Sequence, residues 1–160
     1  MRYRKIVTED FTNYKVPSMF IGCIDCDGKC CTEGGFSPSV CCNDVWRKTD
    51  VFEVSDREII KAYLKNPITH AFVFGLLEPM LQFEEIIAFI KALRVDYKCY
   101  DDVVIYTGYR EDELQEEISE LAEYGNVVMK FGRYSPGFQK HFDETLGVFL
   151  ASPNQYAKRL

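Results

Sequence analysis

Six of the seven cysteines in this 160-residue chain fall between Cys23 and Cys42. They stand as Cys23-Ile-Asp-Cys26-Asp-Gly-Lys-Cys30-Cys31 and then, eleven positions beyond Cys30, as Cys41-Cys42-Asn43. Packing does not ask for that density, because a buried cysteine fills space much as any small apolar residue does. Ligation by several thiolates does ask for it. The stretch must therefore be organised by an iron–sulfur cluster, by a zinc ion or by disulfides.

The start of the chain, Met1-Arg-Tyr-Arg-Lys-Ile-Val-Thr-Glu-Asp10, is charged and has no apolar signal core. No apolar run approaches the roughly 20 residues that span a bilayer. The expectation is a cytoplasmic protein with no membrane partner, in a compartment that keeps thiols reduced. That demotes disulfides and promotes metal, and the odd cysteine count agrees. A net charge of −6 argues against a nucleic-acid partner, which would call for a basic face. The length suits one domain, residues 1–160, with a single core and a cysteine-rich loop at about 23–45.

Residues 1–17 read as an irregular or edge segment closed by Pro17. Ser18–Gly22 is a short apolar strand that runs directly into the cysteine loop, where Gly28, Gly34, Gly35 and Pro38 predict turns. Ser55-Asp-Arg-Glu58 is a capping box opening a helix to about Asn66, stopped by Pro67. His70–Phe74 is continuously apolar, as a strand buried on both faces should be. Residues 82–94 form an amphipathic helix with Phe83, Ile86, Ile87, Ile90 and Leu93 inward. Asp102–Tyr106 is a third strand, Glu111–Tyr124 a third helix with Gly125 at its C-cap, and Asn126–Phe131 a fourth strand. A long loop holding His141 leads to a fifth short strand at Gly147–Ala151. Strand and helix alternate, so the expected fold is α/β: a mainly parallel, open, curved sheet built from βα repeats, or a partial barrel. Loops leaving the carboxyl ends of such strands are where α/β proteins place their chemistry.

Two ligand sets compete within the cysteine stretch. Zinc in a structural site wants four closed ligands, for which Cys23, Cys26, Cys41 and Cys42 form two close pairs. A 4Fe–4S cluster can be held by Cys26, Cys30 and Cys41, leaving one iron open to a small molecule. Cys31, Cys42 and Cys99 then read as spectators, with Cys42 or Cys31 as alternatives for the third ligand. His70 and His141 are isolated and read as non-ligands. The acidic Glu111–Glu123 stretch reads as a solvated helix face.

Cys26-x3-Cys30 just after the first strand matches the first pair of the radical S-adenosylmethionine enzymes, whose third cysteine normally follows two residues later. Here it comes at Cys41. Gly75-Leu76-Leu77-Glu78-Pro79 is similar to a Gly-Gly-Asp/Glu-Pro turn, with one residue added and one glycine lost. Tyr106-Thr107-Gly108-Tyr109 is similar to Trp-Thr-Gly-Tyr. Gly132-Arg133-Tyr134 is similar to the end of Asp-Gly-Arg-Phe, and Ala151-Ser-Pro-Asn154-Gln155 to Gly-Ser-Ser-Asn-Gln. In this joint order, over nearly the whole chain, it resembles the small anaerobic ribonucleotide reductase activating proteins, in an extended-spacer form.

The resemblance implies the small radical-enzyme type of partial barrel and two cofactors, a 4Fe–4S cluster and S-adenosylmethionine. It implies one-electron cleavage of S-adenosylmethionine to methionine and a 5′-deoxyadenosyl radical, which takes a hydrogen atom from a glycine of a partner glycyl-radical enzyme. A low-potential donor such as flavodoxin would supply the electron. Cys26, Cys30 and Cys41 would be the metal ligands. Gly75, Leu76, Leu77, Glu78 and Pro79 would meet the methionine ammonium, and Thr107, Gly108 and Tyr109, with Tyr106, the adenine or ribose. Lys130 and Arg133 would face a carboxylate or a partner surface. The alternative is a non-catalytic iron–sulfur or zinc-binding interaction domain on the same fold, with the altered Gly75–Pro79 turn marking lost S-adenosylmethionine binding.

Overall fold

The computed structural model describes residues 1–160. Ten strands are β1 (Arg2–Tyr3), β2 (Lys5–Asp10), β3 (Ser18–Gly22), β4 (Phe52–Glu53), β5 (Ala71–Gly75), β6 (Asp102–Tyr106), β7 (Val127–Phe131), β8 (His141–Asp143), β9 (Val148–Leu150) and β10 (Tyr156–Arg159). The α-helices are α1 (Lys29–Gly34), α2 (Asp56–Lys65), α3 (Phe83–Lys91) and α4 (Gln115–Ala122). Six strands form the central sheet in the order β10-β7-β6-β5-β3-β2. Its inner four, β3, β5, β6 and β7, run parallel, and β2 and β10 pair antiparallel at the two edges. The fold is thus mixed α/β with a mainly parallel sheet, as the alternation of elements implies.

Both faces of the inner strands are covered, which explains their unbroken apolar character. Met19, Ile21, Phe72, Phe74, Val103, Ile105, Val127, Met129 and Phe131 face one side and pack with Ile59, Ile60 and Tyr63 of α2, Ile86, Phe89 and Ile90 of α3, and Leu121 of α4. Ala71, Val73, Val104 and Val128 face the other side, which no long helix covers. Tyr14, Leu146 and Leu150 close it instead, from the N-terminal segment and the β8–β9 hairpin. A helix-free face ending at the carboxyl edge of a parallel sheet leaves room there for a cavity.

The Ser55–Glu58 capping box forms as expected, with Ser55 accepting from the Glu58 N–H and Glu58 accepting from Ser55. Four elements differ from their expected form. The helix of residues 82–94 continues beyond Lys91 as a π turn, Ala92–Asp96, which brings Leu93 and Arg94 both inside. There Arg94 donates to the carbonyls of Cys99, Tyr124, Gly125 and Asn126. The helix expected over Glu111–Tyr124 starts as a 3-10 turn, Glu111–Glu113, and breaks at Leu114. The expected fifth strand lies outside the central sheet, as β9 paired with β8. The sheet's last strand is β10, a polar segment recruited by β7.

Candidate metal centre

The cysteine stretch leaves β3 at the carboxyl edge of the sheet. The Cys23 N–H is bound to the Gly75 carbonyl, so the loop starts in register with the neighbouring strand. Cys23 itself points into the helix-covered core and is fully buried. That separates it from Cys26, Cys41 and Cys42, and the four-cysteine zinc set does not come together. Cys99 packs on the same core, remote from the loop.

Gly28, at φ +75°, turns the chain into the short helix α1, which carries Cys30 and Cys31. Two 3-10 turns, Pro38–Val40 and Asp44–Lys48, then bring Cys41 and Cys42 back towards it. Cys26, Cys30, Cys31, Cys41 and Cys42 all line one cavity of about 570 Å³, within the range of small-molecule sites. Gly75, Leu76, Leu77, Glu78, Thr107 and Gly108 line it too, so most of the residues singled out from the sequence meet in one place. Two do not. Pro79 is buried at the start of a 3-10 turn. Tyr109 stands outside the wall, donates its hydroxyl to Asp27 at 2.6 Å and stacks against Lys29 and Arg133. His70 is exposed and His141 sits on β8, away from the cysteines.

Two cysteine sulfurs already accept backbone N–H bonds, Cys26 from Gly28 at 3.4 Å and Cys30 from Tyr134 at 3.3 Å. Such bonds stabilise thiolates and tune clusters bound through them. Burial nonetheless pushes both thiols above their ordinary pKa, against those N–H groups. Cys41 goes the other way, because the Cys42 thiol and the Asn43 N–H both stabilise its thiolate. The approach at Cys30 is tight. A Cβ on Gly108 would stand 3.1 Å from its sulfur and 3.3 Å from Glu78 Oε2, so a side chain there would press on both and displace them by a few tenths of an ångström.

Glu78 is buried, with its carboxylate fully engaged. It accepts from Thr107 Oγ1 at 2.7 Å, the Gly108 N–H at 2.8 Å and the Met80 N–H at 3.1 Å. Burial raises its pKa against these donors. Its role in the geometry is to bolt the Gly75–Pro79 turn to the Thr107–Gly108 turn. Leu76 holds φ +75°, and the Leu77 N–H closes on the Gly75 carbonyl at 3.1 Å. A leucine thus keeps a backbone conformation natural to glycine, a local strain of the kind that collects at binding sites. The Leu76 and Leu77 carbonyls take no hydrogen bond within the chain and are free to accept one from a ligand.

Long-range polar clamps hold the loop. Arg47 donates to the Cys26 carbonyl at 2.9 Å, and Arg4 to the carbonyls of Ile24 and Thr49. Arg133, buried at its stem, bridges Glu33 of α1 at 2.9 Å and Glu113 at 2.7 Å. Sequence reasoning missed these partners, since Arg133 and Glu33 lie 100 residues apart. Glu113 belongs to the acidic stretch expected as a solvated helix face, yet it serves this clamp instead.

No group of three or more His, Cys, Asp or Glu side chains is drawn together tightly enough to hold a single ion. The cavity is wide and thiol-rich, which suits a cluster better than one metal atom. Residues 21–156 match the family model described as a 4Fe-4S single cluster domain. The chain belongs to that family. No curated protein matches it. As a 4Fe-4S single cluster domain the protein carries one cubane cluster, and the donor chemistry of the cavity fits one: five thiols, two with N–H donors already on sulfur. No helix is long and apolar enough to cross a membrane.

Proposed function

We propose that the protein is a radical S-adenosylmethionine activating enzyme, with Cys26, Cys30 and Cys41 holding three irons of the cluster and the fourth left for S-adenosylmethionine. One observation carries this reading. A single cavity at the carboxyl edge of the parallel sheet gathers five cysteines, the Gly75–Glu78 turn and the Thr107–Gly108 turn. A purely structural cluster needs only its ligands, not a ligand-sized space beside them. The bound cluster supplies the single electron that cleaves S-adenosylmethionine and so starts hydrogen abstraction from a glycine of a partner protein.

The chain's own residues would supply position and dryness. The free carbonyls of Leu76 and Leu77 accept from the methionine ammonium, and Glu78 keeps their turn in place from behind. Thr107 and Gly108 border the nucleoside side. Phe20, Leu77, Tyr106 and Leu150 make the rest of the wall apolar and limit water. The sheet would be the small partial-barrel variant of the radical enzymes, working in the cytoplasm. The partner is a glycyl-radical enzyme such as an anaerobic ribonucleoside-triphosphate reductase, and the electron donor a low-potential protein such as flavodoxin.

The test is anaerobic reconstitution followed by reduction with S-adenosylmethionine present. Formation of 5′-deoxyadenosine, and a glycyl radical signal once the partner is added, are the expected results. The second reading, a non-catalytic cluster-bearing interaction domain, draws on Leu76, whose side chain stands where the resembling turn has glycine. It predicts a stable cluster with no 5′-deoxyadenosine.

A further inference from the structure

We propose that the Lys130 ammonium is the built-in counter-charge of the cluster: it faces the anionic iron–sulfur centre from the sheet side and raises its reduction potential. The proposal rests on the reading that Cys26, Cys30 and Cys41 carry the cluster in this cavity.

Lys130 is out of place by composition. It lies in β7, where every residue is buried, on the face occupied by Val128 and Val104. Its neighbours in the sequence, Met129 and Phe131, point to the opposite, helix-covered face. The lysine is 6% exposed and lines the cavity that holds the five cysteines. Its Nζ donates to the Gly132 carbonyl at 3.0 Å and more weakly to the Thr107 carbonyl at 3.4 Å. An ammonium has three N–H donors, so one is left over.

No carboxylate stands within ion-pair distance of it. The cavity wall has two acids. Glu78 is held by three donors of its own, and Asp10 is taken up by Thr12 and Asn13. The wall's other cations are engaged elsewhere, Lys5 over the Trp46 ring and Arg47 with the Cys26 carbonyl and Asp44. Buried charges in proteins are paired, and a lone one is costly. Burial takes the Lys130 pKa down to about 8 even with the fields of Cys30 and Glu78 opposing it, which leaves the ammonium charged at neutral pH. The structure therefore keeps a dry cation facing a thiol-lined space. Three thiolates outweigh the charge of the cluster core, so the centre is anionic and becomes more so on reduction. A fixed cation favours the reduced form more than the oxidised one.

The experiment uses the full chain as Lys130→Met and Lys130→Arg, reconstituted anaerobically. The readouts are a dye-mediated redox titration without S-adenosylmethionine and thermal melting of the apo-protein. At a fixed potential the Met variant should show a reduced-to-oxidised ratio lowered about tenfold, equivalent to about 59 mV for one electron. The Arg variant should stay within about threefold of the parent, and apo Lys130→Met should melt at or above the parent, because an unpaired buried charge is gone. An unchanged ratio in Lys130→Met, or a less stable apo-protein, would overturn the proposal. An unchanged ratio with weakened S-adenosylmethionine binding would assign the cation to the co-substrate carboxylate and overturn it too. Full iron content in Cys30→Ala would overturn the underlying reading, and the proposal with it.

Discussion

The parallel sheet and the cysteine loop are built on opposite terms. In β5 and β7 every residue is buried, and rings such as Tyr63, Phe72 and Phe89 stack with centroids 4.0 and 5.0 Å apart. From Ile24 to Asp50 only Cys31 is buried. The loop has one six-residue helix and two 3-10 turns. The sheet is held by burial of apolar surface, which needs no ligand. The loop is held by arginine clamps from outside it, and would gain the rest of its order from metal. A rigid scaffold would then carry a loop whose final shape is left to the cofactor.

The largest effect should come from the scaffold. Phe72→Ala should cost about 3–5 kcal/mol of stability, with or without cluster, because it empties a site between Tyr63 and Phe89. Equilibrium denaturation of both forms checks this. A loss seen only in the cluster-bound form would erase the distinction between the two regions. Next come the ligands. Cys26→Ala, Cys30→Ala and Cys41→Ala should each abolish cluster binding, measured as iron and sulfide content, while shifting apo stability by no more than about 1 kcal/mol. Cys99→Ala should leave the iron content normal. Normal iron in Cys41→Ala would move the third ligand to Cys42 or Cys31, which line the same cavity.

A smaller effect should follow from the clamps. Arg133→Ala removes the bridges to Glu33 and Glu113. Half of that network is solvent-exposed, so the global cost should be about 1–2 kcal/mol. Locally, hydrogen exchange over residues 24–50 should speed up while β5–β7 stay protected. Uniform loss of protection would show that the loop and sheet unfold as one unit.

The smallest effect is one of pH. Burial works to raise the Glu113 pKa, but the Arg110 N–H and the Arg133 guanidinium outweigh it and take it from 4.5 to about 2. A lowered pKa means that the contribution is fully present above about 4.5 and is lost as pH falls towards 2. The Arg133 clamp should hold unchanged between pH 5 and 8, and Glu113→Gln should flatten the acid limb of the exchange rates.

The scaffold was legible because its signals are local. The Ser55–Glu58 box, the unbroken apolar strands and the 82–94 periodicity each report on neighbours a few residues away, and the inner strands fall where these signals put them. The edges were less legible. Lys5–Asp10 and Tyr156–Arg159 are polar and mostly exposed, and become strands because β3 and β7 offer them unpaired backbone. The clamps carry no local signal, since Tyr109 reaches Asp27 across 82 residues. Within the candidate site the turns could be read as motifs, but not that Glu78 would spend its carboxylate holding two of them together.

If the cluster in the cavity has one iron open to S-adenosylmethionine, binding of that molecule must perturb the cluster directly. Electron paramagnetic resonance of the anaerobically reconstituted, reduced protein tests it most directly. The expected result is a 4Fe–4S signal that changes shape when S-adenosylmethionine is added, with 5′-deoxyadenosine accumulating in the same sample. A cluster signal unaltered by saturating S-adenosylmethionine, with no 5′-deoxyadenosine formed, would contradict it.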